Sequence, residues 1–328
     1  MHSRPDLRHP MMDTTGNLGR AKLLKGRARE SSLIFTQVLE STLEGKKRPG
    51  IVTANWTIRR GEAERIQGNY EEARKDFLDA ESTLKLYQND RWLLLAISGL
   101  GELDLLTGRY QDALERFSEA LVKAESGRNQ FGVMACQYRL GLVDHIKGQF
   151  LEARAHYNLV LASNIRPVLY ATYIKAAMVS LQLGDFDLAT EQLSRGVQLC
   201  REILKGATDF FEVKAQFALG LLLKGHEAEA KALYGELAMF CRQHNLKGGI
   251  DAIMMDIALL EMLPDASRPD LEAMGMFYQV YSGKTKGLVR TDSVDSPQSP
   301  SKRLVYSSLS VVLVVATAAL VFRLVRSR

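Results

Sequence analysis

Small, aromatic and apolar residues recur along the chain with a period of 40 residues. Three clear copies of the pattern begin at Gly61, Gly101 and Gly141, and they read GEAERIQGNYEEARKDFLDA, GELDLLTGRYQDALERFSEA and GLVDHIKGQFLEARAHYNLV. In each copy a second glycine follows seven residues after the first, and then come an aromatic residue, an alanine and another aromatic residue. Self-similarity at a fixed period is typical of repeat proteins, in which each copy forms one supersecondary unit. The pattern therefore predicts two antiparallel helices in every copy.

Each residue type has a physical reason for its position. Where two helices approach closest the side chain must be small, and the first glycine and the alanine of each copy meet this need. The second glycine is predicted to end the first helix, because glycine adopts the left-handed conformation of a helix terminus at little cost. The aromatic residues are predicted to fill the space between one unit and the next. After the first glycine, the positions in the three copies are Gly68, Gly108 and Gly148, then Tyr70, Tyr110 and Phe150, then Ala73, Ala113 and Ala153, then Phe77, Phe117 and Tyr157.

Weaker copies extend the array in both directions. A fourth unit carries Ala177, Gly184, Phe186 and Ala189, and a fifth carries Ala218, Gly225, Ala230 and Tyr234. Gly19, Gly26 and Phe35 indicate a divergent first unit, and residues 251–263 and 270–281 indicate a last helix pair that caps the array. Residues 50–263 contain one proline, Pro167, and lack the alternation typical of strands. The predicted fold class is therefore all-α.

These small, Gly-x-aromatic, alanine and aromatic positions resemble the tetratricopeptide repeat family. The resemblance covers residues 12–281, although the family's unit has 34 residues and its final proline is missing here. The longer unit is similar to the repeats of kinesin light chains and of bacterial transcription regulators with tetratricopeptide domains. The resemblance implies a right-handed superhelical solenoid of helix pairs, with a concave groove lined by the first helix of each pair.

The family's groove positions can be placed on this sequence, and they imply a partner-binding groove. The candidate groove residues are Ile58, Arg65, Leu95, Glu102, Tyr138, Leu142, His145, Ile174 and Met178. Co-chaperones of the family clamp acidic C-terminal tails with Lys, Arg and Asn, and here Glu62 and Glu102 would repel a carboxylate. The largely apolar groove instead suits an amphipathic helix or an extended hydrophobic segment of a partner protein.

Two alternatives to a partner groove stay open. The chain's own last helix, with Met274, Phe277 and Tyr278, would fill the groove itself. The apolar candidates would be ordinary inter-helix core if the register of the assignment is wrong by one residue.

An apolar run near the end of the chain predicts a membrane anchor. Leu304 to Phe322 contains no charged residue over 19 positions, and as a helix it would span roughly 28 Å, close to the hydrocarbon thickness of a bilayer. Lys302 and Arg303 precede the run, and three arginines lie in the short basic tail 323–328. Because only six residues follow the run, we expect post-translational insertion, as in a tail-anchored protein.

The segments around the repeats complete the predicted organisation. Residues 1–11 are predicted to be disordered and show no signal peptide. Residues 282–303, rich in Ser, Lys, Gly and Pro, are predicted to be a flexible linker, in which Ser296 and Ser299 precede prolines. Basic residues on the linker side indicate a cytosolic repeat domain. The short Val- and Ala-rich span favours the mitochondrial outer membrane, and peroxisome and endoplasmic reticulum remain open.

Composition and motifs argue against enzyme activity and against a nucleic-acid partner. The formal net charge is +5, and basic residues are scattered among acidic ones, so no nucleic-acid partner is expected. The three cysteines form no CxxC pair, the six histidines form no HExxH motif, and P-loop, GxGxxG and GxSxG motifs are missing from the sequence. We expect no enzyme activity, no metal, no cofactor and no small-molecule substrate.

The sequence thus predicts a non-enzymatic, tail-anchored repeat protein that recruits a partner protein to the cytosolic face of an organelle. The alternatives are a permanent subunit of a membrane complex, a receptor in organelle biogenesis, and a bacterial regulator anchored in the inner membrane.

Overall fold

The computed structural model describes residues 10–44, 49–163, 165–206, 210–267 and 269, which all lie in one compact unit, Met1–Lys284. This part of the chain forms thirteen α-helices and a short 3₁₀ helix, without strands. The helices are α1 Pro10–Leu24, α2 Ala28–Leu43, α3 Ile51–Gln67, α4 Tyr70–Leu86, α5 Asp90–Leu106, α6 Tyr110–Ser126, α7 Gln130–Ile146, α8 Phe150–Leu161, α9 Arg166–Gln182, α10 Phe186–Gly206, α11 Phe211–Leu223, α12 Glu227–His244 and α13 Lys247–Glu261, with the 3₁₀ helix at Asp265–Ser267. The predicted all-α fold is confirmed for these residues.

Consecutive helices pack in pairs, and each pair packs on the next. The pairs α3–α4, α5–α6 and α7–α8 are the three clear copies of the repeat, α9–α10 and α11–α12 are the weaker fourth and fifth copies, and α1–α2 is the divergent first copy. The alanines that the pattern places at the closest approach of the second helices are fully buried: Ala73, Ala113, Ala153, Ala189 and Ala230. The array is therefore a solenoid of helix pairs.

A left-handed glycine ends the first helix of each pair, as the pattern predicts. At Gly68 the backbone φ is 82°, its N–H donates to the carbonyl oxygen of Arg65 at 3.0 Å, and the N–H of Asn69 donates to that of Glu64 at 2.9 Å. These two bonds satisfy carbonyl groups at the helix terminus that would otherwise lack partners.

In the three clear copies, the first glycine lets an aromatic ring lie against the helix backbone. A methyl group added at Gly101 would lie 2.7 Å from the ring of Phe117, which is fully buried. Phe77 similarly lies against Gly61 of its own unit and Gly99 of the next. The aromatic side chains therefore pack between the two helices of a pair and also against the next pair.

The last described helix lies on the inner side of the solenoid. Helix α13 contacts α3 and α5 from early repeats, and its Asp256 contacts Lys175 of α9 and Gln216 of α11. Its apolar side, Ile250, Ile253, Ile257 and Leu260, belongs to the main core of the protein. Helix α13 thus packs across the first helices of several repeats at once.

The two ends of the described array also meet. A methyl group added at Gly26, between α1 and α2, would lie 2.6 Å from the ring of Phe240 in α12. One added at Gly68 would lie 2.8 Å from the side chain of Lys247, the first residue of α13. The helix pairs therefore curve far enough to bring the last repeat onto the first.

The predicted anchor lies outside the described residues, as do the linker 282–303, the tail 323–328, residues 1–9 and the predicted helix 270–281. Among the helices that are described, none is long and apolar enough to cross a membrane.

Candidate functional site

The inner faces of the first helices carry a ladder of ion pairs, with one residue from each of three successive repeats. Glu102 of α5 lies between Arg65 of α3 and Arg139 of α7. Its carboxylate oxygens lie 3.2 Å from Nη2 of Arg65 and 2.8 Å from Nε of Arg139. Burial opposes the charge of Glu102, but the two guanidinium groups outweigh burial and hold its pKa below the ordinary value. The two arginines of the ladder are therefore already engaged by a carboxylate.

Glu212, at the start of α11, is close enough to Arg65, Glu102 and Arg139 to be influenced by their charges. Its side chain is exposed, and within the described residues it forms no hydrogen bond or ion pair. Loss of bulk hydration raises its pKa, in spite of the nearby charge of Arg65. Glu62 and Glu102 add to this rise as like charges. Glu212 is therefore accessible to solvent while protein surrounds it, as expected inside a concave channel.

Among the polar atoms that are buried without hydrogen-bond partners in the described part of the chain, three belong to α3 and α11. They are Oδ1 of Asn55, Nε of Arg65 and Oε1 of Gln216. Buried polar groups in proteins are normally paired, since an unpaired one costs about 1–3 kcal/mol.

Helix α13 is held to the interior by polar contacts as well as apolar ones. Lys175 of α9 pairs with Asp256, and both side chains are almost fully buried, at 1% and 9% exposure. The amide of Gln216 donates to the other carboxylate oxygen of Asp256 at 2.8 Å, and the hydroxyl of Tyr70 donates to Asp251. An ion pair without solvent is strongly sensitive to the loss of either partner. These contacts specify where α13 lies in the channel.

The candidate groove residues divide into two groups in the structure. Arg65, Leu95, Glu102 and Tyr138 keep some solvent exposure, whereas Ile58, Leu142, His145, Ile174 and Met178 are buried. Leu142, Ile174 and Met178 share the core cluster of α13, and Ile58 lies in a second cluster with Phe77 and Ile97. The buried group contributes to inter-helix core while α13 is in place, and the assignment of the whole set to a partner groove stays a prediction.

His145 is a buried histidine in an aromatic environment. Its ring meets the rings of Phe150 and Tyr157 edge-on, with centroids 6.0 and 6.3 Å away. Neither ring nitrogen has a hydrogen-bond partner among the described residues. Burial, with a smaller contribution from the charge of Lys175, lowers the pKa of His145 to about 3, so the ring is neutral at physiological pH.

Met274, Phe277 and Tyr278, the residues proposed to fill the groove, lie outside the described residues. The segment that packs on the inner faces of the first helices is α13, which precedes them in the chain.

Sequence reasoning missed three residues of the interior: Arg139, Lys175 and Asp256. Two of them carried a signal, because Lys175 and Asp256 are single charges within the apolar runs YIKAAM and IMMDIAL. A lone charge in such a run is expected to have a buried partner. The sequence does not say which partner, since these two residues are 81 positions apart.

Among the described residues we find neither a cluster of metal ligands nor an accessible thiol. They contain no group of three or more His, Cys, Asp or Glu side chains that could hold a metal ion. All three cysteines are buried and unpaired, and burial raises the pKa of Cys200 and of Cys241 to about 12. A thiol with so high a pKa is a poor nucleophile.

Comparison with known proteins relates the chain to helical repeat proteins. A tetratricopeptide repeat family model matches residues 52–126, and no curated protein matches in sequence. The fold is similar to that of the Rap conjugation gene regulator of plasmid pLS20 in complex with the Phr* peptide, with a TM-score of 0.63 and 17% identity over 83% of this chain and 75% of that chain. It is also similar to aspartyl phosphate phosphatase F from Bacillus subtilis, with a TM-score of 0.55 and 19% identity over 88% and 73%.

A third similar structure is NprR in complex with its cognate peptide NprX, with a TM-score of 0.52 and 15% identity over 95% of this chain and 89% of that chain. At these identities the similarity concerns the fold alone. Together with the observed helix pairs, it shows that the chain has a helical repeat fold of the tetratricopeptide type.

Proposed function

We propose that this protein is a non-enzymatic adaptor that binds a peptide segment of a partner protein in the channel lined by its first helices. The observation that carries the proposal is the channel itself. Accessible polar side chains from α3, α5, α7 and α11 converge in it. A peptide backbone supplies both donors and acceptors at regular intervals, so it suits such a surface. Two proteins of similar fold are complexes with peptides.

Peptide binding is tested with the full-length chain in detergent and an array of synthetic hexapeptides of random sequence. Leu95 lies two helical turns before Glu102 on the same face of α5, so Leu95→Arg places a charged side chain in the channel. We expect wild type to retain a defined subset of peptides and Leu95→Arg to lose them. Val122 is 62% exposed on α6, a second helix of its pair, and Val122→Arg is the matched control. Equal binding by wild type and Leu95→Arg would contradict the proposed site.

The proposal includes an anchor at residues 304–322 that holds the repeat domain on the cytosolic side of an organelle membrane, with the mitochondrial outer membrane as the first candidate. The support is the uncharged run of 19 residues with basic residues on both sides. Anchoring would raise the effective concentration of a partner in the same membrane. A permanent complex subunit, a biogenesis receptor or a bacterial inner-membrane regulator would use the same parts differently.

The anchor is tested by imaging the full chain beside a copy that ends at Ser301, each fused at its N-terminus to a fluorescent protein. We expect the full chain to label mitochondria and the shorter chain to be diffuse. A diffuse signal from both would remove the anchor from the proposal. A signal at another organelle would keep the anchor and change the destination.

The absence of enzyme activity is also a proposal, and one protein of similar fold is named a phosphatase. Acetyl phosphate is a small acyl phosphate, chemically similar to aspartyl phosphate. We expect the full chain to release no phosphate from it above the rate in buffer alone. A rate proportional to protein concentration would show that the protein is an enzyme.

A further inference from the structure

We infer that the channel accepts a free end of a peptide chain and excludes an internal loop, so that its partner is a protein with an exposed terminal segment. The inference rests on the proposed function, because it specifies the kind of partner that the same site takes. It follows from three features of the described residues. The first and last helix pairs are in contact, α13 closes one end of the channel, and the accessible side chains lie toward the other end.

The wall of the channel is continuous where the two ends of the described array meet. A methyl group added at Gly26, between α1 and α2, would lie 2.6 Å from the ring of Phe240 in α12 and 3.5 Å from the side chain of Leu246, which precedes α13. Leu246 is fully buried. An open solenoid presents an extended concave surface, on which a partner can lie from the side. Here the last repeat rests on the first, so a partner must enter lengthwise.

Helix α13 closes the channel at the C-terminal ends of the first helices. Its second residue, Gly248, lies against the end of α3, since a methyl group added there would overlap the carbonyl oxygen of Arg65. Beyond the other end of α13, the carbonyl oxygen of Met262 accepts a hydrogen bond from the amide of Gln182, the last residue of α9. Helix α13 also contacts α5. It therefore reaches from the end of α3 to the end of α9 and forms a floor.

Solvent exposure along the lining helices agrees with a channel that is open at one end. Toward the C-terminal ends of α5, α7 and α9, the side chains of Leu105, His145 and Met178 are buried. Leu95 and Tyr138, farther from those ends on α5 and α7, keep some exposure. The described residues therefore form a cup, with its floor at α13 and its mouth toward the N-terminal ends of the first helices.

A cup with one mouth favours a chain end over a loop. A chain end enters as a single extended strand, whereas a loop must enter doubled back on itself, and its second strand lies about 4.8 Å beside the first. The wall and floor are packed helices, and packed cores do not deform continuously. The mouth would therefore widen for a second strand only at the cost of helix contacts.

The test presents one hexapeptide, which wild type retains from the random array, in several forms to the full-length chain in detergent. One form is the free peptide. Two others carry a small folded domain at either the N-terminal or the C-terminal end, and a last form carries the domain at both ends. All domains are joined through Gly/Ser linkers of about 20 residues, which span about 25 Å on average, so that the domains need not touch the mouth. Calorimetry measures the affinity of each form.

We expect the free peptide and at least one single fusion to bind with affinities within about threefold of each other, and the double fusion to bind at least about tenfold more weakly. Equal binding of the double fusion and the free peptide would overturn the inference and leave the proposed function standing. Weak binding of both single fusions would overturn it too, because one free end suffices for entry. If no hexapeptide binds to wild type, the proposed function is wrong, and the inference with it.

Gly248→Ala tests the physical cause, because the added methyl group must move α13 away from the carbonyl oxygen of Arg65. We expect the folded variant, verified by circular dichroism, to discriminate less between the double fusion and the free peptide. Gly235→Ala is the matched control, since a methyl group there has no neighbour within 4 Å, and it should discriminate as wild type does. Unchanged discrimination in folded Gly248→Ala would show that α13 does not close the channel.

Discussion

At the scale of single residues, the helix pairs depend on positions where a side chain larger than hydrogen would meet an aromatic ring. Gly101 is one such position, because a methyl group there would lie 2.7 Å from a ring carbon of the fully buried Phe117. Gly235 is also a helical glycine, but a methyl group there would have no neighbour within 4 Å. The two glycines have the same intrinsic helix propensity, so only their surroundings distinguish them.

Gly101→Ala is therefore expected to lower the free energy of unfolding by about 1–3 kcal/mol, because the ring of Phe117 cannot move aside in a packed core. Gly235→Ala, the matched control, is expected to raise it by up to about 1 kcal/mol, because alanine is the better helix former. Urea denaturation of the two variants and wild type measures both changes. The same sign for both variants would contradict the close approach at Gly101.

A second residue-scale prediction concerns pH. His145 has a pKa of about 3 in the folded protein, whereas an unfolded histidine titrates near 6.5. The unfolded chain therefore binds a proton first, and the contribution of neutral His145 to stability is complete above pH 6.5 and is lost as the pH falls toward 3. Between pH 7 and pH 5 the loss is about 2 kcal/mol.

His145→Phe removes the titrating group and keeps an aromatic ring among Phe150 and Tyr157. We expect this variant to lose about 2 kcal/mol less than wild type between pH 7 and pH 5, as measured by urea denaturation at both values. Parallel pH profiles of the two proteins would show that His145 is not buried as a neutral ring.

At the scale of elements, α13 differs from the other helices because polar contacts position it inside the array. Lys175 and Asp256 form an ion pair that is almost fully buried, and Gln216 completes the hydrogen bonding of Asp256. Removing one charge leaves the other buried without its ionic partner, whereas removing both leaves an apolar contact. The pair therefore specifies the position of α13 more than it stabilises the protein.

Lys175→Met alone is expected to lower the free energy of unfolding by about 3–5 kcal/mol. The double variant Lys175→Met/Asp256→Leu should recover most of this loss, because no uncompensated charge is left in the core. Urea denaturation of wild type, both single variants and the double variant completes the cycle. Additive losses in the double variant would show that the two charges act independently.

At the scale of the whole described unit, the array curves until its ends touch. Gly26 at the end of α1 has a φ of 71°, and a methyl group added there would lie 2.6 Å from the ring of Phe240 in α12. Gly184 at the end of α9 has a similar φ of 77°, but no atom within 4 Å of an added methyl group. An alanine would adopt the same strained backbone conformation at both positions, but its methyl group would clash with Phe240 only at position 26.

Gly184→Ala is expected to lower the free energy of unfolding by about 1–2 kcal/mol, the cost of a left-handed alanine. Gly26→Ala should have that cost and, in addition, about 1–3 kcal/mol from contact with Phe240. Hydrogen exchange should show faster exchange in α1, α2 and α12 of Gly26→Ala, and no such change in Gly184→Ala. Equal losses of stability in the two variants would contradict the contact between the ends.

The sequence by itself determined the features that depend on residues close together in the chain, namely where the first helices end and where paired helices approach closest. The Gly-x-aromatic positions predicted where first helices end, and the left-handed conformations of Gly68, Gly108 and Gly148 confirm them. The small positions predicted the closest approach of paired helices, and the buried alanines agree. These features were readable because each repeat is one local unit, and five copies of the same signal reinforce each other.

Only the tertiary structure decided how the ends and the interior are arranged. Each repeat is rotated slightly relative to the one before, and the rotations add up until Phe240 of α12 lies against Gly26 of the first pair. The same curvature brings α13 into the channel and pairs Asp256 with Lys175. No local pattern encodes these contacts, because they depend on the sum of many small rotations between packed helices. The sequence therefore specified the unit, and the packing of units determined which charged residues of distant repeats become neighbours.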